Sequence, residues 1–247
     1  MTNPIGLTRR RALAAGAGLG AAALLGRGAE AAGRSCVAFG DSYTRSYRAG
    51  VPTYADQLHA SGAVNVLVNL ATSGATAVGT NTMRTLDGQI DVWLRSYRSL
   101  GLPERAVIYI GNNDVAGTAT LYGAMTQLRA QVDRLIAQGL NQGTRRIVLC
   151  LIHDWSRNPA STRSVRSRVR SWNQFQVSLA AARPNVVTVP IYTRIERVFA
   201  NPAAYGITNL TEPNRALSAT THLYLDGHHF GRKGHAILAN EIRPFVL

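Results

Sequence analysis

Four side chains able to move protons or bind metals fall within ten positions near the end of the sequence. They are Asp226, His228, His229 and His235, in the stretch LYLDGHHFGRKGHAILA (223–239) of a 247-residue chain with six histidines. Converging imidazoles and a carboxylate can hold a divalent metal if their outer nitrogens are supported, and nothing else in the sequence supplies that support. An Asp and a His three apart on a turn lie side by side, so that the carboxylate fixes the imidazole's tautomer and stabilises its cation when it accepts a proton. The pair Asp226 and His229 fits this second use, with Gly227 easing the turn between them. His228 points off that line, and His235 stands almost two helical turns later.

A base needs a nucleophile. Ser42, in Gly40-Asp41-Ser42-Tyr43, follows an apolar run directly and either presents its hydroxyl above a sheet or caps a helix. Gly74, in Thr72-Ser73-Gly74-Ala75, either punctuates a turn or lets a backbone N–H come close to a substrate. Asn113, in Gly111-Asn112-Asn113-Asp114, either caps a helix or aims its amide at developing negative charge. His153 and Asp154 follow another apolar run and are expected to line the pocket. Tyr47, Val115, Leu121, Tyr122, Trp155 and Phe230 are available for an apolar groove, although core packing is the usual fate of such side chains.

The elements that must bring these residues together alternate along the chain. Apolar, β-branched runs occupy Cys36 to Gly40, Val64 to Leu70, Ala106 to Ile110, Arg146 to Ile152 and Asn185 to Val189. Helical periodicity fills Tyr54 to Ala60, Leu86 to Tyr97, Leu121 to Gln138, Val165 to Ala182 and the segment from Gly234 onward. Strict alternation predicts a parallel sheet covered on both faces, and sites in such sheets lie beyond the carboxyl ends of the strands, where Ser42, Gly74 and Asn113 all stand. The loop from Asn201 to Thr221 is the longest irregular stretch.

Residues 1–31 are expected to be an address label. Thr8-Arg9-Arg10-Arg11-Ala12-Leu13 leads into an Ala/Gly/Leu-rich run ending near Gly26, then Ala29-Glu30-Ala31, the layout of a twin-arginine signal peptide with its cleavage site. The run is too short to span a bilayer, and no later segment approaches that length. "GAGLGAAA" within it meets a loose dinucleotide pattern, but no strand precedes it. Residues 32–247 then form one domain, exported and not transmembrane. The net charge of +14 is carried almost wholly by arginine, Lys233 being the only lysine. Arg157, Arg163, Arg166, Arg168 and Arg170 cluster. They form a solvated helix face, or they offer Arg163, Arg166, Arg168 and Arg170 to an anionic surface such as phospholipid or acidic polysaccharide. Nucleic acid is not expected as a partner of an exported chain. Cys36 and Cys150 sit in separate apolar runs without metal spacing and are expected to be buried thiols, although export permits a disulfide.

Taken together these residues resemble the SGNH or GDSL hydrolases, whose four short blocks carry Ser, Gly, Asn and His. Gly40-Asp41-Ser42 is similar to the first block, Gly74 stands in the second, "GNND" matches Gly-x-Asn-Asp in the third, and Asp226 with His229 makes the Asp-x-x-His of the fourth. The stretch VFANPAAYGITNLT (198–211) resembles a loop of the thermolabile hemolysin and plant-type GDSL lipase branch. Tyr43 replaces the usual Leu after the serine, and Arg45 stands where many members of the branch carry Asp, which alters the wall beside the nucleophile. The resemblance implies a flavodoxin-like three-layer α/β/α sandwich around a mostly five-stranded parallel sheet. It also implies Ser42 as nucleophile, His229 as base, Asp226 as its orienting partner, and an oxyanion hole from the Ser42 and Gly74 N–H groups and Asn113, with no cofactor and no metal. The expected activity is hydrolysis of lipid or short acyl esters, or deacetylation of a glycan. A metal-binding protein built on Asp226, His228, His229 and His235, or a non-catalytic envelope-binding module using the arginines, are the readings of other classes. G-x-S-x-G and H-E-x-x-H are both absent.

Overall fold

The computed structural model describes residues 34–45, 48–79, 82–117, 120–161, 164–216 and 220–247. Residues 1–31, which carry the expected signal, lie outside these, as do Tyr47 and Arg163. Among the described residues five largely apolar runs form the strands β1 (Arg34–Gly40), β2 (Val64–Asn69), β3 (Arg105–Tyr109), β4 (Arg146–Cys150) and β5 (Val186–Val189). All pair in parallel in the order β2-β1-β3-β4-β5. β3 is buried along its whole length and the last four residues of β4 likewise, as a sheet covered on both faces requires.

Among the described residues seven α-helices cover it: α1 (Tyr54–Ala60), α2 (Leu86–Ser96), α3 (Asn112–Ala116), α4 (Leu121–Ala137), α5 (Arg166–Ala181), α6 (Ile191–Ala200) and α7 (Arg232–Val246). α2, α4 and α5 pack side by side in one layer, and α1, α7 and α6 in the other. The expected three-layer α/β/α sandwich with a five-stranded parallel sheet is the observed architecture. Local chemistry starts the helices where they must start. Thr53 caps α1 and exchanges bonds with Asp56, a capping box worth about 1 kcal/mol. Thr85 caps α2 through Gly88 N.

Two differences from the sequence reading matter. α6 is a helix where the sequence reading assigns no element: Ile191, Ile195 and Val198 are buried at the spacing of one helical face, one residue, Pro190, after β5 ends. α3 is a single short helix, and Asn113 lies within it after Gly111 as N-cap.

Chain direction explains where the site falls. From β1 the chain moves outward to β2, then crosses back to β3 on the other side of β1, so the connections leave β1 and β3 on opposite sides and open a crevice between their carboxyl ends. At the opposite, amino edge the buried Arg105, first residue of β3, donates to Thr144 O and Leu247 O, each at 2.8 Å, and so fastens the last residue of the chain. Cys36 and Cys150 are buried free thiols on β1 and β4, and burial pushes the Cys36 thiol up to about 12. Among the described residues no helix is long and apolar enough to cross a membrane.

Candidate active site

Ser42 follows β1 by two residues, on a turn organised by Asp41. The Asp41 carboxylate accepts from Tyr43 N and from Asn112 Nδ2, both at 3.0 Å, and its carbonyl accepts from Thr44 N and Arg45 N. One residue thereby ties the serine turn to the start of α3. Complete burial raises the Asp41 carboxyl to about 7. Two amide side chains brace the same turn: Gln89 of α2 pairs with both the N–H and the carbonyl of Gly40, at 2.8 and 2.9 Å, and Asn69 at the end of β2 donates to Thr44 O at 2.9 Å.

His229 arrives from the loop before α7. Its Nε2 lies 2.9 Å from Ser42 Oγ, and its Nδ1 lies 3.1 Å from both Asp226 oxygens. Asp226 Oδ1 also accepts from His228 N and His229 N, each at 2.8 Å, so the carboxylate shapes the loop that carries its own partner. The imidazole keeps 21% of its side-chain exposure and the Asp226 carboxylate 17%, open enough for a substrate to reach yet dry enough to matter. Burial, the larger effect, holds the His229 pKa below its ordinary value against the pull of Asp226. Gly227 is required by space: its φ is not in the left-handed region, but a Cβ there would stand 2.5 Å from Ala160 Cβ. The sequence reading gave it a turn-making role; the structure gives it a packing one.

The remaining strand ends close the crevice. Gly74 is the third residue of a turn shut by Ala75 N to Thr72 O at 3.1 Å, and its φ of 77° is the one a glycine supplies there without strain. Asn113 donates from Nδ2 to Ala75 O at 2.7 Å, which ties α3 to the Gly74 turn and pins the amide plane that carries the second N–H. Asp114, next in "GNND", accepts from Ala77 N at 2.9 Å and Val78 N at 3.2 Å, holding the following loop, while burial raises its carboxyl. The only signal in the sequence for this role of Asp114 is its position after Asn113 in the GNND block. Gln89 had none, because its partner Gly40 is remote in the chain.

Other expectations change place. His153 does not line an open pocket: it is fully buried, its pKa pushed down to about 4 by desolvation, between the Tyr43 hydroxyl at 3.2 Å and the Tyr109 hydroxyl at 3.3 Å. Asp154 is buried too, capping the turn at Ser156 and paired with Arg166 at 2.6 Å. Tyr43 is fully buried beneath the site, so the substitution after the serine alters the floor and not the wall. Val115 and Phe230 belong to the core, whereas Tyr122 is exposed.

The metal ligand set does not assemble. His228 stacks on Trp155 at 5.4 Å and 12°, His235 is buried on α7 with its pKa pushed down to about 3, and both nitrogens of His229 face Asp226 and Ser42. Among the described residues no three His, Cys, Asp or Glu side chains group as a metal would need. In the arginine cluster, Arg157 pairs with Glu196, Arg166 with Asp154, and Arg168 donates to Asp114 O and Val115 O. These three have inward partners, while Arg170 is exposed.

The fold is shared with solved structures at low sequence identity. A member of the lipolytic protein G-D-S-L family from Veillonella parvula superposes with a TM-score of 0.60 at 14% identity, covering 84% of this chain and 95% of that one. The acetyl xylan esterase AlAXEase gives 0.60 at 16% identity, covering 86% and 100%. The lipase/acylhydrolase from Enterococcus faecalis gives 0.53 at 18%, covering 87% and 97%. No curated protein matches the sequence significantly. The model of the GDSL-like Lipase/Acylhydrolase family matches residues 38–237, a span that takes in Ser42, Gly74, Asn113, Asp226 and His229 together, and the chain belongs to that family.

Proposed function

We propose that the protein is an exported serine hydrolase of carboxylic esters that works through an acyl-enzyme. The observation that carries this reading is the continuous Ser42–His229–Asp226 relay, with His229 Nε2 2.9 Å from Ser42 Oγ and Nδ1 3.1 Å from the carboxylate. Asp226 keeps the proton of the neutral ring on Nδ1, which leaves Nε2 bare towards the serine. As Oγ attacks the ester carbonyl its proton passes to Nε2, and the new cation is stabilised by Asp226. The oxyanion is received by the Ser42 N–H, the Gly74 N–H and the second Nδ2–H of Asn113. Collapse expels the alcohol, which takes the proton from His229; water then repeats the sequence to release the acid. None of these steps needs a cofactor.

Lipid and short acyl esters are the first substrate class, from the family. Acetylated glycan is the second, and one of the similar structures is that of an acetyl xylan esterase. The test is a panel of nitrophenyl esters from acetate to palmitate, with acetylated xylan and phospholipid beside it, together with labelling by a serine-directed phosphonate. Turnover with label on Ser42 supports the reading. Neither turnover nor label would end it and favour the binding-module alternative.

The pH profile gives a second check. Catalysis needs neutral His229, and a depressed pKa keeps the ring neutral further into acid, so the acid limb of kcat/KM is expected to have its midpoint below about 6.5, the ordinary histidine value. A midpoint at or above that value would mean that Asp226 outweighs burial. Export rests on the Arg9-Arg10 segment: replacing both by Lys is expected to leave the precursor in the cytoplasm, as fractionation would reveal, and unchanged export would point to another route. Contact with anionic surfaces through Arg163, Arg166, Arg168 and Arg170 is likewise a proposal. It is read by the salt dependence of binding to anionic vesicles.

A further inference from the structure

The peptide bond joining His228 to His229 is gripped at both ends. Its N–H, that of His229, donates to Asp226 Oδ1 at 2.8 Å. Its carbonyl, that of His228, accepts from the Tyr43 hydroxyl and from Asn158 Nδ2 at 3.1 Å. One residue further on, His229 O accepts from Leu225 N at 2.8 Å. The imidazole leaves the backbone directly beyond this plane, so a rotation of the peptide would swing Nε2 away from Ser42. Asp226 alone fixes only the N–H side.

The protons of the grip can be placed one after another. Tyr43 Oη has a single hydrogen, which goes to His228 O, so towards His153 Nε2, 3.2 Å away, it can only accept. Nε2 therefore carries the proton of His153 and shares it between Tyr43 Oη and Asn158 Oδ1, the latter at 3.1 Å. A fully buried imidazole held neutral has one proton only, so Nδ1 is bare and accepts from the Tyr109 hydroxyl at 3.3 Å. With Asn158 Oδ1 taken by His153, its Nδ2 is the atom that reaches His228 O. The other tautomer would set a bare Nε2 against the lone pairs of both Tyr43 Oη and Asn158 Oδ1. The network thus has one consistent arrangement, in a dry interior where an unmade bond is costly.

Tyr43 is also the residue after the nucleophile. Ser42 reaches Nε2 of the base from one side of the turn, while from the other the Tyr43 hydroxyl holds the backbone of that same base. The ring itself is fixed by Phe230 at 5.2 Å, His153 at 4.9 Å and Tyr109 at 5.7 Å between centroids, and it lies 5.9 Å from the ring of His229. We propose that Tyr43 is a positioning residue for His229: its hydroxyl, oriented by His153 and seconded by Asn158, fixes the His228–His229 peptide and with it the line from Nε2 to Ser42 Oγ. This rests on the reading of Ser42 and His229 as nucleophile and base.

Tyr43→Phe is the direct test, since it keeps the packed ring and removes one hydroxyl. Thermal melting, kcat and KM on an ester that the wild type turns over, the rate at which a phosphonate labels Ser42, and the His229 Nδ1–H proton resonance would be measured on the full chain. The expected result is a fall in kcat of about tenfold or more with KM nearly unchanged, an equal fall in labelling rate, and a shifted or broadened resonance in a protein that still melts cooperatively. A variant with wild-type kcat, labelling and resonance overturns the proposal, as does a loss confined to KM. Should Tyr43→Phe not fold, Asn158→Ala removes the second donor from the same carbonyl and is expected to lower kcat and labelling together; no change in either overturns the proposal equally. A wild type whose Ser42 takes no label means that the nucleophile reading has failed, and this inference with it. A labelled wild type beside an unaffected Tyr43→Phe sinks this inference alone.

Discussion

Replacing His229 by Ala is expected to lower kcat about as far as replacing Ser42 by Ala, by a factor on the order of 10³ to 10⁶, and the double variant is expected to lose little more. The reason is geometric. The two side chains meet in one hydrogen bond of 2.9 Å, and a serine without its base, or a base without its serine, leaves only what the oxyanion donors and substrate binding supply. Asp226→Asn belongs to the same unit. Its amide would face Nδ1 with a donor, forcing the ring proton to Nε2, where it blocks acceptance from Ser42; a loss of about 10⁴ is expected. His228→Ala and His235→Ala are expected to cost far less, because one ring stacks on Trp155 and the other is buried on α7. Steady-state kinetics on the five single variants and the double variant, with cooperative melting as the control for folding, decides it. A lethal His228→Ala beside an active His229→Ala would require abandoning the Asp226–His229 assignment, and additive losses in the Ser42/His229 double variant would mean that the two do not act together.

Asn113→Ala is expected to lower kcat by roughly 10² to 10³ with KM little changed, as for the loss of one preorganised donor where negative charge develops. The structure adds a complication that the experiment can resolve. Asn113 Nδ2 also donates to Ala75 O, so the substitution releases the Gly74 turn as well as removing a donor. On the proposed assignment of the Gly74 N–H to the oxyanion, both consequences would act on the transition state. A change confined to KM would reassign Asn113 to substrate binding and remove it from the oxyanion hole.

Much of this arrangement was legible in the sequence, and the reasons are local. Each strand is a short, largely apolar run, and each of Ser42, Gly74, Asn113 and the Asp226–His229 pair sits in a short contiguous block at the end of a run or turn. Spacing of three between Asp226 and His229 suffices to bring ring and carboxylate together, because the same carboxylate organises the backbone between them. What could not be read is what joins distant segments. The Gly40–Gln89 pair and the contact between Tyr43 and His153 depend on the register of the finished sheet and on which helix covers which face. His153 follows β4 just as Ser42 follows β1, and a strand-end position alone does not say which side chain turns up towards the crevice and which turns under it. By its neighbour in sequence Tyr43 reads as part of the wall beside the nucleophile; its neighbours in space make it part of the support for the base.

The bond from Arg105 to Leu247 O bears on how the molecule can be handled. It puts the final residue at the amino edge of the sheet, and Ser42 stands at the other edge, a strand of seven residues or roughly 20 Å away. A resin, a particle or a fusion partner coupled at Leu247 would therefore meet the molecule from behind and leave the crevice facing bulk solution. Orientation on a support would come from that attachment point alone, with no change to the residues around Ser42.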